Sequence, residues 1–251
     1  MRVTAVGCSG SYPGPDSPAS CYLVEADHEG RTWRIVLDLG NGALGALHRH
    51  VDPLAIDAVF LSHLHADHCL DLCSYYVLRR YHPRGSPPRI PVFGPAGVAG
   101  RLAAAYDLPP EPGMSGEFDF QEYDAAVRVG PLLVEPVPVE HPVPAYALRV
   151  SGDGRVMAYS GDTAVCDGLL QAAADADLLL AESSFLDGAE NPPGVHLTGA
   201  QAGSVATTAG VGRLVLTHIP PWHDPQVSLA AARTTYDGSV ELARTGAVYH
   251  L

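Results

Sequence analysis

Val59-Phe60-Leu61-Ser62-His63-Leu64-His65-Ala66-Asp67-His68 passes from a short apolar segment into three histidines and an aspartate within six residues. Val59-Phe60-Leu61 reads as a short buried strand, and the His-rich segment lies at its carboxyl end, where α/β folds place their chemistry. On an extended backbone the side chains at i and i+2 point the same way, so His63 and His65 can bind one ion. A turn into a helix, predicted over Leu70–Tyr81, lets Asp67 and His68 face a second. The alternative is a polar loop whose histidines only hydrogen-bond. Four ligand-type residues crowded at a strand end make that the weaker reading.

Outward from this segment, strands are predicted at Arg2–Val6, Cys21–Glu25, Trp33–Leu39 and Ile90–Phe93, with helices at Ala43–His50 and Pro95–Tyr106. Leu108–Gly116 is a Pro/Gly-rich connector. Val127–Val139, Tyr146–Val150 and Val156–Tyr159 read as strands, with a hairpin turn in Ser151-Gly152-Asp153-Gly154. Helices at Cys166–Ala174, Thr198–Ala209 and Ser228–Tyr236 then alternate with strands at Leu178–Ala181, Leu214–Thr217 and Ala247–Tyr249. A β-rich run followed by α/β alternation, twice over, suits two sheets packed face to face with helices outside. The expectation is a four-layer αββα sandwich in one domain over residues 1–251.

Charge narrows the function classes. Fifteen basic residues, all arginine, face 28 acidic ones for a net −13, which excludes lysine chemistry and disfavours polyphosphate partners. The five cysteines are odd in number and show no paired C-x-x-C spacing, so reduced thiols are expected rather than a disulfide framework or a zinc ribbon. No apolar run approaches the ~20 residues of a membrane span, and Met1–Val6 reads as a strand rather than a signal peptide, so a cytoplasmic protein is expected.

The His63–His68 segment resembles the metal-binding motif of the metallo-β-lactamase-fold hydrolases, and later segments match in order. His141 after Val139-Glu140 resembles the third ligand histidine of that family. Asp162 in Ser160-Gly161-Asp162-Thr163 resembles the bridging carboxylate, and His218 after Leu214-Val215-Leu216-Thr217 the last ligand. The resemblance implies one ion held by His63, His65, His141 and Asp162, and another by Asp67, His68, Asp162 and His218. Such nitrogen-rich, carboxylate-bridged sets suit two divalent ions, zinc before manganese or iron. Two ions ~3.5–4 Å apart activate a water and grip a phosphoryl oxygen.

His196 in Val195-His196-Leu197-Thr198 resembles the non-ligand histidine of the ribonuclease Z branch, which protonates the leaving oxygen; a helix-capping polar residue is its plainer reading. Glu182, at a strand end, is expected either to orient His196 or a ligand histidine, or to be a solvated acid. The catalytic set is thus Asp67, His196 and Glu182. The remaining histidines have ordinary surface readings, apart from His223, whose nearness to His218 makes it a candidate pocket-lining residue.

The metals alone do not name a substrate. The Ser160–Thr163 segment, His196 and the start Val6–Ser20 resemble the ribonuclease Z-like group, and the Gly/Ser-rich start offers N–H groups and hydroxyls, Ser9 and Ser20 among them, to an anion. No basic tRNA-gripping arm is visible. Ser74–Tyr106 carries Arg79, Arg80, Arg84, Arg89 and Arg101 without an acid, and Arg79 and Arg80 are candidate contacts for a small anion. Across the chain the similarity extends to actinobacterial cyclic-nucleotide-degrading phosphodiesterases of this fold. It implies hydrolysis of a 3′,5′-cyclic nucleotide such as cyclic AMP, with nucleic acid and membrane disfavoured as partners and a homodimer left open. The alternatives are a tRNA 3′-processing endonuclease and a non-catalytic nucleotide sensor.

Overall fold

In a computed structural model that describes residues 1–251, the first half runs β1 (Arg2–Gly7), β2 (Cys21–His28), β3 (Arg31–Leu37), α1 (Ala43–Leu47), β4 (Ala58–Phe60), α2 (Ala66–Cys69), α3 (Leu72–Arg80), β5 (Ile90–Gly94), α4 (Val98–Ala105) and β6 (Phe118–Glu122). The second half runs β7 (Val127–Val129), β8 (Leu132–Val139), β9 (Ala145–Gly152), β10 (Arg155–Tyr159), α5 (Asp167–Ala173), β11 (Leu178–Glu182), α6 (Gly199–Thr208), β12 (Arg213–Thr217), α7 (Pro225–Ala232), β13 (Ser239–Leu242) and β14 (Val248–His250).

The strands form two seven-stranded sheets, ordered β14-β1-β2-β3-β4-β5-β6 and β13-β12-β11-β10-β9-β8-β7. Each is antiparallel in one part and parallel in the other; the parallel pairs are β3 to β6 and β10 to β13. The alternation along β2 shows why the layers stack. Tyr22, Val24 and Ala26 enter the core between the sheets, whereas Cys21 and Leu23 enter the core under α1, α3 and α4. A third core, with Leu179, Ala181, Leu214 and Leu216, lies under α5, α6 and α7. A strand buried on both faces needs helices outside it, and the result is the αββα sandwich. No helix is long and apolar enough to cross a membrane.

Several predicted boundaries move for identifiable reasons. The strand expected over Trp33–Leu39 stops at Leu37, because Asp38 takes a left-handed φ of 57° and turns out of the ladder. The helix expected over Leu70–Tyr81 is α3, which starts at Leu72, and the turn before it, Ala66–Cys69, is a separate short helix, α2. At the break the Asp71 N–H leaves the helical pattern to donate to the Leu39 carbonyl. Val127–Val139 is two strands joined at Gly130, where φ is 56°. The strands β6 and β13 carry no prediction at all; both are edge strands, and their mixed polar residues are mostly half-buried or exposed.

Candidate metal centre

Strand ends from both sheets meet at one rim. The turn after β4 carries His63 and His65, α2 carries Asp67 and His68, and the β8–β9 connection carries His141. Asp162 follows β10 and His218 follows β12. The donors fall into two groups whose atoms lie within 4.8 Å of one another: His63, His65, His141 and Asp162, and Asp67, His68, Asp162 and His218. In the first, His65 Nδ1 lies 2.9 Å from His63 Nε2 and 3.3 Å from His141 Nε2. In the second, His218 Nε2 lies 3.1 Å from both His68 Nε2 and Asp67 Oδ2.

The partners behind these rings decide where their protons sit. His68 Nδ1 donates to Asp38 Oδ2 at 2.7 Å, and His141 Nδ1 to the Val195 carbonyl at 2.9 Å. The Ser184 hydroxyl donates to the His218 carbonyl and so accepts from His218 Nδ1 at 2.8 Å. Ser62 Oγ donates to Asp38 and accepts from His63 Nδ1 at 3.1 Å. Four imidazoles therefore turn their Nε2 lone pairs inward. His68 and His218 would oppose lone pairs at 3.1 Å unless a cation lies between them. Asp162 Oδ1, common to both groups, is buried without a hydrogen-bond donor. Converging lone pairs around an orphaned carboxylate oxygen fit divalent metal ions.

The electrostatics agree. Burial pushes His63, His65 and His141 below the ordinary histidine value, so they are neutral and able to ligate at neutral pH. Burial would raise Asp67 and Asp162, but the surrounding imidazoles outweigh it and hold both well below the usual carboxylate range. His68 goes the other way: although burial opposes its charge, Asp162 and Asp38 raise it, so this pocket draws a positive charge even if only a proton is available.

Backbone geometry is specialised here as well. His218 adopts φ 54°, a conformation costing about 1–3 kcal/mol in a non-glycine residue and retained only where its surroundings impose it. Gly40 passes so close to the ligand turn that a Cβ there would sit 1.9 Å from the Asp67 carbonyl oxygen. Gly161, with φ 58°, lets Asp162 pass Ser62 and the Tyr146 carbonyl.

His196 stands beside this cluster. Its Nδ1 donates to Glu182 Oε1 at 2.8 Å and lies 3.9 Å from Asp162 Oδ2. Burial works against the imidazolium, but Glu182 and Asp162 together outweigh it, and His196 is held above the ordinary histidine value. Glu182 is fully buried and also accepts the N–H groups of Thr163 and Ser184, so it is not a solvated acid. A cavity of about 290 Å³ opens at His196, bounded by Phe185, Glu140 and Asn191. A second cavity, of about 340 Å³, lies beside the His218 turn and is lined by none of the candidate ligands.

The expected anion contacts fare differently. Arg79 is 2% exposed, and its guanidinium donates to the carbonyls of Glu117 and Pro88 and to the Tyr75 hydroxyl. It ties α3 to the segments that precede β5 and β6, and both its carbonyl partners lie there. Arg80 pairs with Glu117. Ser20 is fully buried, holding the Asp67 carbonyl through its N–H, and Ser9 is buried in bridges to Ala19 and Ile219. The group of this turn that does reach the centre is the Ser11 N–H, 3.4 Å from His218 Nε2. Asp38 was missed by the sequence reading although it accepts from His68, Ser62 and Tyr159. An acid closing an apolar strand just before Gly40 was the available signal.

Residues 33–219 match the family model described as the beta-lactamase superfamily domain. An uncharacterised protein of Mycobacterium tuberculosis is 44% identical over 96% of this chain and 88% of its own length. The probable metallo-hydrolase YhfI of Bacillus subtilis is 27% identical over 99% of both chains. The crystal structure of YhfI, a metallo-β-lactamase fold protein, superposes with a TM-score of 0.87 over 99% of both chains at 25% identity. A ribonuclease Z of Myxococcus xanthus is 31% identical over 98% of this chain and 96% of its own length.

Proposed function

This chain belongs to the beta-lactamase superfamily and is a metal-dependent hydrolase, and from that premise we propose that it is a dinuclear phosphodiesterase acting on a small phosphodiester, foremost a 3′,5′-cyclic nucleotide such as cyclic AMP. The observation that carries the reading is the His196–Glu182 pair at 2.8 Å beside Asp162. Hydrolysis of a phosphodiester expels a poor alkoxide, which needs a proton as it leaves. A thioester-cleaving site, whose thiolate leaves readily without a proton, has less need of such a donor.

His63, His65, His141 and Asp162 would hold one divalent ion and Asp67, His68, Asp162 and His218 a second, zinc before manganese or iron, and these would supply the Lewis acidity that hydrolysis needs. The residues supply the rest. Asp38, Ser62, Ser184 and the Val195 carbonyl orient the ligand imidazoles from behind. The Ser11 N–H, 3.4 Å from His218 Nε2, is near enough to the centre to donate to a phosphoryl oxygen held there. Glu182 keeps a proton on His196 Nδ1 and aligns the ring, so that its other nitrogen can deliver a proton to the departing oxygen.

The second reading, RNA processing, is favoured by the identity to the Myxococcus ribonuclease Z. Against it stand the net charge of −13, the burial of Arg79 and the pairing of Arg80 with Glu117. Turnover of cyclic AMP, cyclic GMP, a bis-aryl phosphodiester and pre-tRNA, compared side by side with zinc and with manganese, tests the choice. The proposal expects the cyclic nucleotides to lead by kcat/KM, and efficient site-specific trimming of pre-tRNA would replace it with the second reading.

A further inference from the structure

Tyr12 and Trp222 are 43% and 61% exposed, yet their rings lie together with centroids 5.2 Å apart and planes 32° from parallel. Both sit on loops attached directly to the His218 ligand. Tyr12 follows Ser11, whose N–H is 3.4 Å from His218 Nε2, and Trp222 is four residues beyond His218. The two loops are joined: Gly10 N–H donates to the Ile219 carbonyl, and a Cβ at Gly14 would lie 3.1 Å from the Pro221 ring. The indole N–H donates to His223 Nε2, so the polar edge of Trp222 is occupied and its faces are left for contact.

An aromatic pair left open at the rim of a phosphoester site matches one chemistry well. A nucleobase offers a flat π-face that stacks on Trp or Tyr, with stacking worth a measurable share of affinity and little dependence on sequence or hydrogen bonds. We propose that Tyr12 and Trp222 form a stacking platform for the nucleobase of the substrate, making this site selective for nucleotides over phosphodiesters that lack a base. The inference rests on the phosphodiesterase reading of the same site. The other exposed tyrosines, Tyr81 and Tyr106, lie at the ends of α3 and α4 and have no link to the ligand turns.

Equilibrium binding to the zinc-loaded protein tests the platform apart from turnover. The probes are AMP and ribose 5-phosphate, which share a phosphate and differ by the base. Calorimetry should show AMP binding about 10-fold or more tighter, with Trp222→Ala abolishing that advantage and Trp222→Phe keeping most of it, while ribose 5-phosphate is unaffected. The chain has two tryptophans, so in a Trp33→Phe background AMP should quench the fluorescence of Trp222 and ribose 5-phosphate should not. Equal affinities for the two probes, or an AMP affinity unmoved by Trp222→Ala, overturn the platform. So does a Trp222→Ala protein that dissociates from dimer to monomer in sedimentation with unchanged AMP binding, which assigns the pair to a subunit interface. A protein that hydrolyses no diester but binds AMP through Trp222 refutes the proposed function and keeps the platform; diesterase activity with Trp222-independent binding does the reverse.

Discussion

His68 and His218, 150 residues apart in the chain, bring their Nε2 atoms to 3.1 Å while each donates its Nδ1 proton outward, to Asp38 and to Ser184. Two facing lone pairs buried beside Asp67 and Asp162 are stable only around a cation. The pair thus couples two strand ends of different sheets through whatever positive charge occupies the space between them.

Metal content follows from the shared carboxylate. Elemental analysis of protein never exposed to chelator should find about two divalent ions per chain. His65→Ala should lose about one, and Asp162→Ala, whose side chain belongs to both groups, should lose both. Retention of two ions by the Asp162 variant would break the assignment of that residue as the bridge.

Asp38 should control metal affinity without touching the metals. Its Oδ2 accepts from His68, Ser62 Oγ and Tyr159, and its Oδ1 accepts the Ser62 N–H. In Asp38→Asn the amide group must oppose one of these donors, at about 1–3 kcal/mol. Chelator competition should show affinity falling by about 10–100-fold, the usual cost of losing such a partner. An unchanged affinity would mean that the imidazole orientation is set elsewhere.

For His196→Ala, both ions and a near-native KM are expected with kcat down by about 10²-fold or more on a diester with a poor leaving group. An aryl leaving group should recover part of the rate. Glu182→Gln should show the same substrate dependence more weakly, because it acts through His196. Equal losses on both substrates would make the histidine structural.

Two glycines separate close approach from simple flexibility. Gly40→Ala should release metal and lower stability by more than about 2 kcal/mol, since its Cβ would overlap the Asp67 carbonyl. Gly45→Ala, on an exposed position of α1 with nothing within 4 Å, should be neutral or stabilising by up to about 1 kcal/mol. Thermal unfolding with and without added zinc distinguishes them.

Arg79→Met should destabilise the fold by about 2–3 kcal/mol, because the buried Glu117 carbonyl and the part-buried Pro88 carbonyl lose a charged donor, while the KM for a diester stays unchanged. Urea unfolding and steady-state kinetics read the two effects separately. A raised KM with unchanged stability would return Arg79 to the substrate side.

The sequence by itself determined the His63–His68 cluster, because its signal is local: three histidines and an aspartate within six residues. His141, Asp162 and His218 stood out only through resemblance to a known family, and it is the structure that gathers their donor atoms with that cluster. The sandwich was legible from local signals too, since apolar runs flanked by helical segments demand covered sheets. The mixed, mostly half-buried residues of β6 and β13 carried too little apolar pattern to announce an edge strand.

Only the tertiary structure decided what stands behind each ligand and which charges remain free. Asp38 reaches His68 across 30 residues and Ser184 reaches His218 across 34. Arg79 turns inward to carbonyls 9 and 38 residues away, and Tyr12 meets Trp222 across the join of two loops. A hydrogen-bond partner or a stacked ring is chosen by sheet pairing and loop packing, and those juxtapose residues whose separation along the chain carries no periodic signal.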